Sequence, residues 1–103
     1  MLIKVPNKLF IAGHLFTIEQ DVDNLDIDGQ RARIDYKRLR ILLNLQKKES
    51  VLSEGFIHEI LHGIDEVYLN SQIDNENIIE PFAEGIWQVL QQLGIQFDLT
   101  DIK

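Results

Sequence analysis

The spacing of the apolar residues changes near the middle of the chain, and this change limits the folds open to it. Before about residue 45 the apolar residues form short runs or alternate with polar ones. From about residue 51 they recur every three or four residues, which is the period of an α-helix. Strands followed by helices are typical of α+β folds, so we expect a small antiparallel or mixed sheet packed on two helices. The length of 103 residues predicts a single domain over 1–103.

The N-terminal half contains the strand signals. Gly13 and His14 have the character of a tight hairpin turn between two apolar runs. The acidic segment 21–30 is rich in turn formers and is predicted as a loop. The predicted strands are 8–12, 15–20, 31–36, 39–45 and, near the end of the chain, 95–99.

The first predicted helix covers about residues 51–69, with Ser50 or Ser53 as the N-cap. His58, His62 and Asp65 lie together on a helical wheel, on the side opposite to the apolar arc. That arc consists of Phe56, Ile57, Ile60, Leu61, Ile64, Val67 and Tyr68.

The second predicted helix covers about residues 78–93 and ends at Gly94. Pro81 has to lie in its first turn, because a proline deeper inside would break the helix. Glu80, Glu84 and Trp87 lie on the polar side of the wheel. The apolar arc, predicted to face the core, consists of Ile79, Phe82, Ala83, Ile86, Val89, Leu90 and Leu93.

Residues 58–62 read His-Glu-Ile-Leu-His, which is the HExxH pattern. Residues four apart are neighbours on one helix face, so the imidazoles of His58 and His62 can reach one ion. Imidazole suits Zn²⁺, and the absence of cysteine restricts any zinc site here to histidine and carboxylate ligands. Glu59 lies beside the first histidine, where it can take a proton from a zinc-bound water as general base.

A catalytic zinc site needs a third protein ligand, and the second helix offers carboxylates for it. Glu80 lies on the polar face of that helix, but Asn77-x-x-Glu80 also fits a capping box, in which Glu80 would bond to the Asn77 amide. Glu84 could replace Glu80 as a ligand, hold a histidine N–H, or be a solvated helix residue. Asp65 could orient an imidazole or be an ordinary surface acid.

The two segments together resemble the gluzincin group of zincin metallopeptidases. They are more similar to the compact zincin-like proteins of the ImmA/IrrE type, which are mostly associated with phages and prophages. The pattern of those proteins is HExxH, a loop, and then Glu-x-x-Ala-(Asn/Glu) at the opening of a helix, which here is residues 80–84. The strand Leu39–Asn44 is also similar, and the resemblance covers about residues 29–94.

The resemblance implies a minimal zincin-like domain in which His58, His62 and Glu80 bind Zn²⁺ and Glu59 is the base. It implies a zinc-dependent metallopeptidase that hydrolyses a peptide or protein substrate. We expect the substrate to add as a strand to an exposed sheet edge, for which Leu39–Asn44 is the candidate.

A second function class remains open, because no residue identifies itself as the donor to the oxyanion of the reaction. Tyr36, Tyr68 and His14 are the candidates, although His14 is interpreted as an ordinary turn residue. Trp87 could form a wall of the cleft or be a core residue. The short chain leaves little protein for a cleft. The alternative is therefore a catalytically quiet zinc-binding module of phage or mobile-element origin that regulates a partner.

The net charge of −7 argues against nucleic acids and membranes as partners, because a negative protein is repelled by phosphate backbones and by anionic membranes. Residues 31–48 nevertheless hold seven of the ten Lys and Arg residues. We interpret this segment as a solvated basic strand region, with a nucleic-acid or acidic-partner surface as the weaker alternative. With no cysteine, no signal-peptide pattern and no long apolar run, a cytoplasmic protein is expected.

Overall fold

The change of apolar spacing corresponds to a change from strands to helices in the computed structural model, which describes residues 1–103. The fold is α+β, as predicted, with a mixed sheet and three helices. The elements are β1 (Leu2–Lys4), β2 (Lys8–Ile11), β3 (His14–Gln20), α1 (Val22–Ile27), β4 (Ala32–Asp35), β5 (Arg40–Leu43), α2 (Glu49–Tyr68), α3 (Glu76–Gln92) and β6 (Gln96–Asp98).

The main sheet has the strand order β2-β3-β5-β4, with β3 parallel to β5 and the other pairs antiparallel. The β2–β3 hairpin turns at Ala12 and Gly13, whose φ angles are 53° and 81°. Positive φ at both central residues is typical of a type I′ turn. His14 pairs with Ile11 as the first residue of β3, so the turn lies one residue earlier than predicted.

Strand β5 lies inside the sheet, between β3 and β4. Ile41, Leu42 and Leu43 are all buried, with exposed fractions of 0%, 4% and 0%. A strand that is apolar on both faces is stable only where both faces are covered, which favours an inner position. The prediction that Leu39–Asn44 is a free edge is therefore wrong, and the edges are β2 and β4.

Two short elements were not predicted. Residues 22–27 form α1 within the predicted loop, where Asp21 accepts a hydrogen bond from the Asn24 amide and Leu25 is fully buried. Strand β1 pairs in parallel with β6 as a separate two-stranded sheet. Because acidic and apolar residues alternate in 21–30, the sequence did not identify Leu25 as the one buried residue of α1.

Helix α2 packs against the main sheet and carries the HExxH segment. It begins at Glu49 after Lys48, which makes no side-chain cap, so the prediction of Ser50 or Ser53 as the N-cap is wrong. At Gly63 the helix lies so close to the sheet that an added Cβ would be 3.2 Å from Ile11 and Ile34. A glycine inside a helix is unfavourable by about 1 kcal/mol relative to alanine. The close approach of α2 to the sheet explains why this position is nevertheless a glycine.

Helix α3 packs against α2 and begins two residues earlier than predicted. Asn75 is its N-cap, and its Oδ1 accepts a hydrogen bond from the Asn77 amide at 2.9 Å. The alternative of a capping box between Asn77 and Glu80 is therefore wrong, and the Glu80 carboxylate is free for other contacts. Pro81 lies in the second turn rather than in the first. Its missing N–H leaves the carbonyl of exposed Asn77 to the solvent.

The buried face of α3 also differs from the predicted one. Ile79, Ala83 and Trp87 are buried, and Trp87 stacks on Phe97 with ring centroids 5.3 Å apart. Trp87 is thus a core residue. Of the predicted apolar arc, Phe82, Val89 and Leu93 are exposed. The arc is wider than the surface that α2 can cover, so only one side of it is buried.

Candidate metal centre

The two histidines of the HExxH segment face each other on α2. The Nε2 atoms of His58 and His62 are 3.1 Å apart, as expected for residues one helical turn apart. His58 is buried and His62 is half-buried, because α3 covers this face of α2. The helix therefore directs both ring nitrogens toward one point.

The third group at this point is the carboxylate of Glu76, the first residue of α3. Its Oε1 is 2.5 Å from His62 Nε2, and its Oε2 is 3.0 Å from His58 Nε2. Sequence reasoning missed Glu76, because the predicted helix began after it. The signal that could have found it is its position four residues before Glu80, which places both acids on one helix face.

The three donor groups fit a zinc ion. Tetrahedral zinc with bonds of about 2.0–2.1 Å places its ligand atoms roughly 3.3 Å apart. The Nε2 atoms and the Glu76 oxygens are 2.5–3.1 Å apart, so small side-chain rotations would give that spacing. Two imidazoles and one carboxylate are also a donor set that zinc prefers, and they leave a fourth position open.

Glu80 contacts the opposite nitrogen of His58. Its Oε2 is 3.0 Å from His58 Nδ1, although the contact is not oriented as a hydrogen bond and leaves this buried nitrogen without a hydrogen-bond partner. Its Oε1 accepts a hydrogen bond from Arg31 Nη2 at 2.6 Å. Glu80 therefore lies beside the histidine, on the side away from the point where the two Nε2 atoms converge.

Arg31 joins the strand side of the site to the helices. It binds Glu80 and also Glu54, with Nη1 3.2 Å from Glu54 Oε1. Its stem crosses α2 at Gly55, where an added Cβ would lie 3.0 Å from its Cγ and Cδ. Burial alone would raise the pKa of Glu80, but the hydrogen bond and charge of Arg31 outweigh it and lower that pKa. The sequence showed Arg31 only as part of a basic segment.

Glu59 is the buried acid of the site. Its exposed fraction is 8%, and burial raises its pKa to about 7. The charge of His62 opposes this shift, whereas the charge of Glu76 adds to it. Burial likewise lowers the pKa of His58, against the pull of the neighbouring carboxylates. A carboxyl group with a pKa near 7 is suited to accept and release a proton at neutral pH.

An open cavity of about 530 Å³ gives access to these groups. It lies where the chain enters β4, the edge strand of the sheet next to α2. Charged and imidazole side chains converge in it, and those that line it include Arg31, His58, Glu59, Glu76 and Glu80. The candidate metal centre is thus accessible from solvent and borders a free strand edge.

Asp65 stabilises the turn that joins α2 to α3. It is buried, and its Oδ1 accepts a hydrogen bond from the Ile73 amide at 3.0 Å. Its backbone carbonyl accepts two more, from the amides of Leu69 and Ser71. Asp65 makes no hydrogen bond to either histidine of the HExxH segment. Its contact instead fixes the chain three residues before Glu76.

The remaining candidates make no hydrogen bond or ion pair with the two histidines. Glu84 is exposed, and its carboxylate groups with those of Glu54 and Glu80. His14 and Tyr68 are exposed, His14 at the start of β3 and Tyr68 at the end of α2.

Tyr36 directly follows β4. Of the two tyrosine candidates, it is the one whose phenol is affected by the charge of Glu59. Partial burial and the charges of Glu66, Glu59, Asp74 and Asp65 raise its pKa. The phenol therefore keeps its proton at neutral pH and can donate a hydrogen bond.

The arginines of the basic segment are largely neutralised within the fold. Arg33 pairs with Asp28, and Arg38 and Arg40 both pair with Asp35. None of the helices combines the length and the apolar character that a membrane span requires. Comparison with protein-family models, with curated proteins and with solved structures found no match for this chain.

Proposed function

We propose that this protein is a minimal zincin-like metallopeptidase that hydrolyses peptide bonds with the help of Zn²⁺. The observation that carries the proposal is the convergence of His58 Nε2, His62 Nε2 and the Glu76 carboxylate, with buried Glu59 beside them. This arrangement combines a three-ligand donor set with a carboxyl group whose pKa is suited to proton transfer.

His58, His62 and Glu76 would hold the ion. Zinc, when bound, supplies a Lewis acid that polarises a carbonyl and lowers the pKa of a water to about 7. Glu59 accepts the proton of the attacking water and passes it to the leaving amine. Because Glu59 is buried, its carboxylate is poorly solvated and is a stronger base than an exposed glutamate.

Glu80 and Arg31 position His58 in this proposal. When Nε2 of His58 binds the ion, its Nδ1 carries the proton, and a small rotation of Glu80, whose Oε2 lies 3.0 Å away, would let it accept a hydrogen bond from this N–H. Arg31 holds the other oxygen of Glu80 at 2.6 Å. The sequence resemblance implied Glu80 as the third ligand, and we propose Glu76 for that role because its carboxylate reaches both Nε2 atoms.

The substrate would bind along β4. This strand is an edge of the sheet, and the cavity of the candidate metal centre opens where the chain enters it. An extended peptide can add to such an edge through backbone hydrogen bonds, which give affinity without sequence specificity. Tyr36, which follows the strand, is the candidate donor to the developing oxyanion.

The substitution Glu59→Gln tests the proposal. The variant should retain one zinc per chain, because Glu59 is not a ligand, and should lose about 10²–10⁴-fold in hydrolysis of a labelled unfolded protein. Glu49→Gln is the matched control on an exposed position of the same helix and should keep full activity. Equal cleavage by Glu59→Gln and the wild type would disprove the catalytic assignment.

A catalytically quiet zinc-binding regulatory module is the second candidate, supported by one observation. The guanidinium of Arg31 is bound by Glu54 and Glu80, so it is not free to stabilise an oxyanion. In this case Glu59→Gln would leave the zinc content and the binding of the regulated partner unchanged. His58→Ala would release the zinc and abolish binding to the regulated partner.

A further inference from the structure

Helix α3 carries an apolar stripe that no other part of the chain covers. Ile78, Phe82, Val89 and Leu93 have exposed fractions of 47%, 58%, 56% and 69%. Together with Gly85 and Ile86 they fall within an arc of roughly 100° on the helix surface. Single exposed apolar residues are ordinary, but a continuous stripe along four turns of one helix indicates an interface.

The order of residues in the stripe is close to symmetric. Ile78 and Leu93 are equally far from the midpoint between Gly85 and Ile86, and so are Phe82 and Val89. A second α3 in antiparallel orientation would therefore pair Phe82 of each copy with Val89 of the other, one pair on either side of a two-fold axis. Interfaces between two identical copies require this self-complementarity, whereas an interface with a different partner does not.

The centre of the stripe permits close approach of two helices. A Cβ added at Gly85 would meet no atom within 4 Å, so the backbone is open at this point. The glycine lies within the regular helix and interrupts an otherwise bulky surface, which leaves a groove for Ile86 of the other copy. Ridges of side chains that fit such grooves are the usual basis of helix packing.

The area of the stripe indicates a weak dimer. If a second copy covered the four exposed side chains and their neighbours completely, about 1,000 Å² would be buried over the two copies, which is an upper limit. This value is near the lower limit for a specific interface, so we expect a weak dimer that forms at the higher protein concentrations.

We propose that the protein forms an antiparallel dimer through α3, with the two-fold axis between Gly85 and Ile86. The stripe lies on the side of α3 away from Glu80, so the dimer leaves the candidate metal centre accessible. The inference goes beyond the proposed function and is independent of it, because no zinc ligand contributes to the stripe.

The register of the dimer can be tested by introducing opposite charges at Phe82 and Val89. The molar mass of the full chain is measured by sedimentation equilibrium, from micromolar to near-millimolar concentration, with zinc and with a chelator. The wild type should change from monomer to dimer, and Phe82→Glu and Val89→Lys should each remain monomeric. The double variant should dimerise again, because the introduced glutamate of each copy would then meet the introduced lysine of the other.

Gln88→Lys is the matched control, since it adds the same charge as Val89→Lys to an exposed position of α3 outside the stripe. It should dimerise like the wild type. Circular dichroism should show that all variants fold, because the exposed side chains do not contribute to the core. A wild type that stays monomeric overturns the proposal, and so does a dimer that Phe82→Glu leaves intact. A double variant that stays monomeric like the two single variants contradicts the register.

Discussion

Replacing Glu76 with glutamine is expected to weaken zinc binding more than replacing Glu80. The structure places the Glu76 carboxylate 2.5 Å and 3.0 Å from the two Nε2 atoms, whereas Glu80 contacts only Nδ1 of His58. Glutamine keeps the size of the side chain and replaces the carboxylate with a neutral amide, which is not among the usual ligands of zinc. The two variants therefore distinguish a ligand from a positioning residue.

The difference can be worked out from the contacts. Zinc binding in sites with four protein ligands provides about 10–16 kcal/mol, so one ligand contributes roughly 3–4 kcal/mol, or about 10²–10³ in affinity. A residue that acts through a histidine ligand contributes about 10–100-fold. Glu76→Gln should thus bind zinc about tenfold more weakly than Glu80→Gln, a difference of about 1.4 kcal/mol.

The assay is competition with a chromophoric zinc chelator at fixed pH, which measures affinity without any substrate. Glu84→Gln is the matched control, because Glu84 is on the same helix one turn after Glu80 and is exposed. It should bind zinc like the wild type. A larger loss in Glu80→Gln than in Glu76→Gln would refute the reasoning from distances and support the ligand set that the resemblance implied.

Two further predictions concern the framework that positions the site. Asp65→Ala should destabilise the fold by about 1–3 kcal/mol in urea unfolding and should also weaken zinc binding, because it leaves the Ile73 amide unpaired. Asp65→Asn keeps an acceptor oxygen, so a loss as large as that of alanine would contradict this explanation. Gly63→Ala should be less stable than Gly85→Ala when both are unfolded by heat at low protein concentration. The reason is that the new Cβ at position 63 would lie 3.2 Å from Ile11 and Ile34. Gly85→Ala meets no atom and should gain up to about 1 kcal/mol from helix propensity, so equal stability of the two variants would exclude the close approach.

Features that depend on neighbours in the sequence were predicted well. The presence of a small sheet, the two long helices and the position of His58, Glu59 and His62 on one helix follow from local spacing of apolar and polar residues. The β2–β3 hairpin was displaced by only one residue. Short-range geometry determines such features, because residues four apart meet in any α-helix whatever surrounds it.

Features that depend on the order of the strands were not predicted. Segment 39–45 was identified as a strand, but its place inside the sheet results from pairing with β3, which is distant along the chain. Its apolar residues on both faces were the available signal, since inner strands are covered on both sides. The two faces of α3 were likewise indistinguishable, because a helical wheel shows an apolar arc without showing which part of it another element covers.

The sequence by itself determined an α+β chain with two imidazoles and a carboxyl group on one helix, and it restricted any zinc site to histidine and carboxylate ligands. The tertiary structure alone decided which carboxylate meets the imidazoles. That choice depends on where α3 begins, and the turn held by Asp65 and the cap at Asn75 bring Glu76 rather than Glu80 to the Nε2 atoms. The physical reason is that helix periodicity is a local property, whereas the start of a helix relative to another depends on contacts that only the folded chain makes.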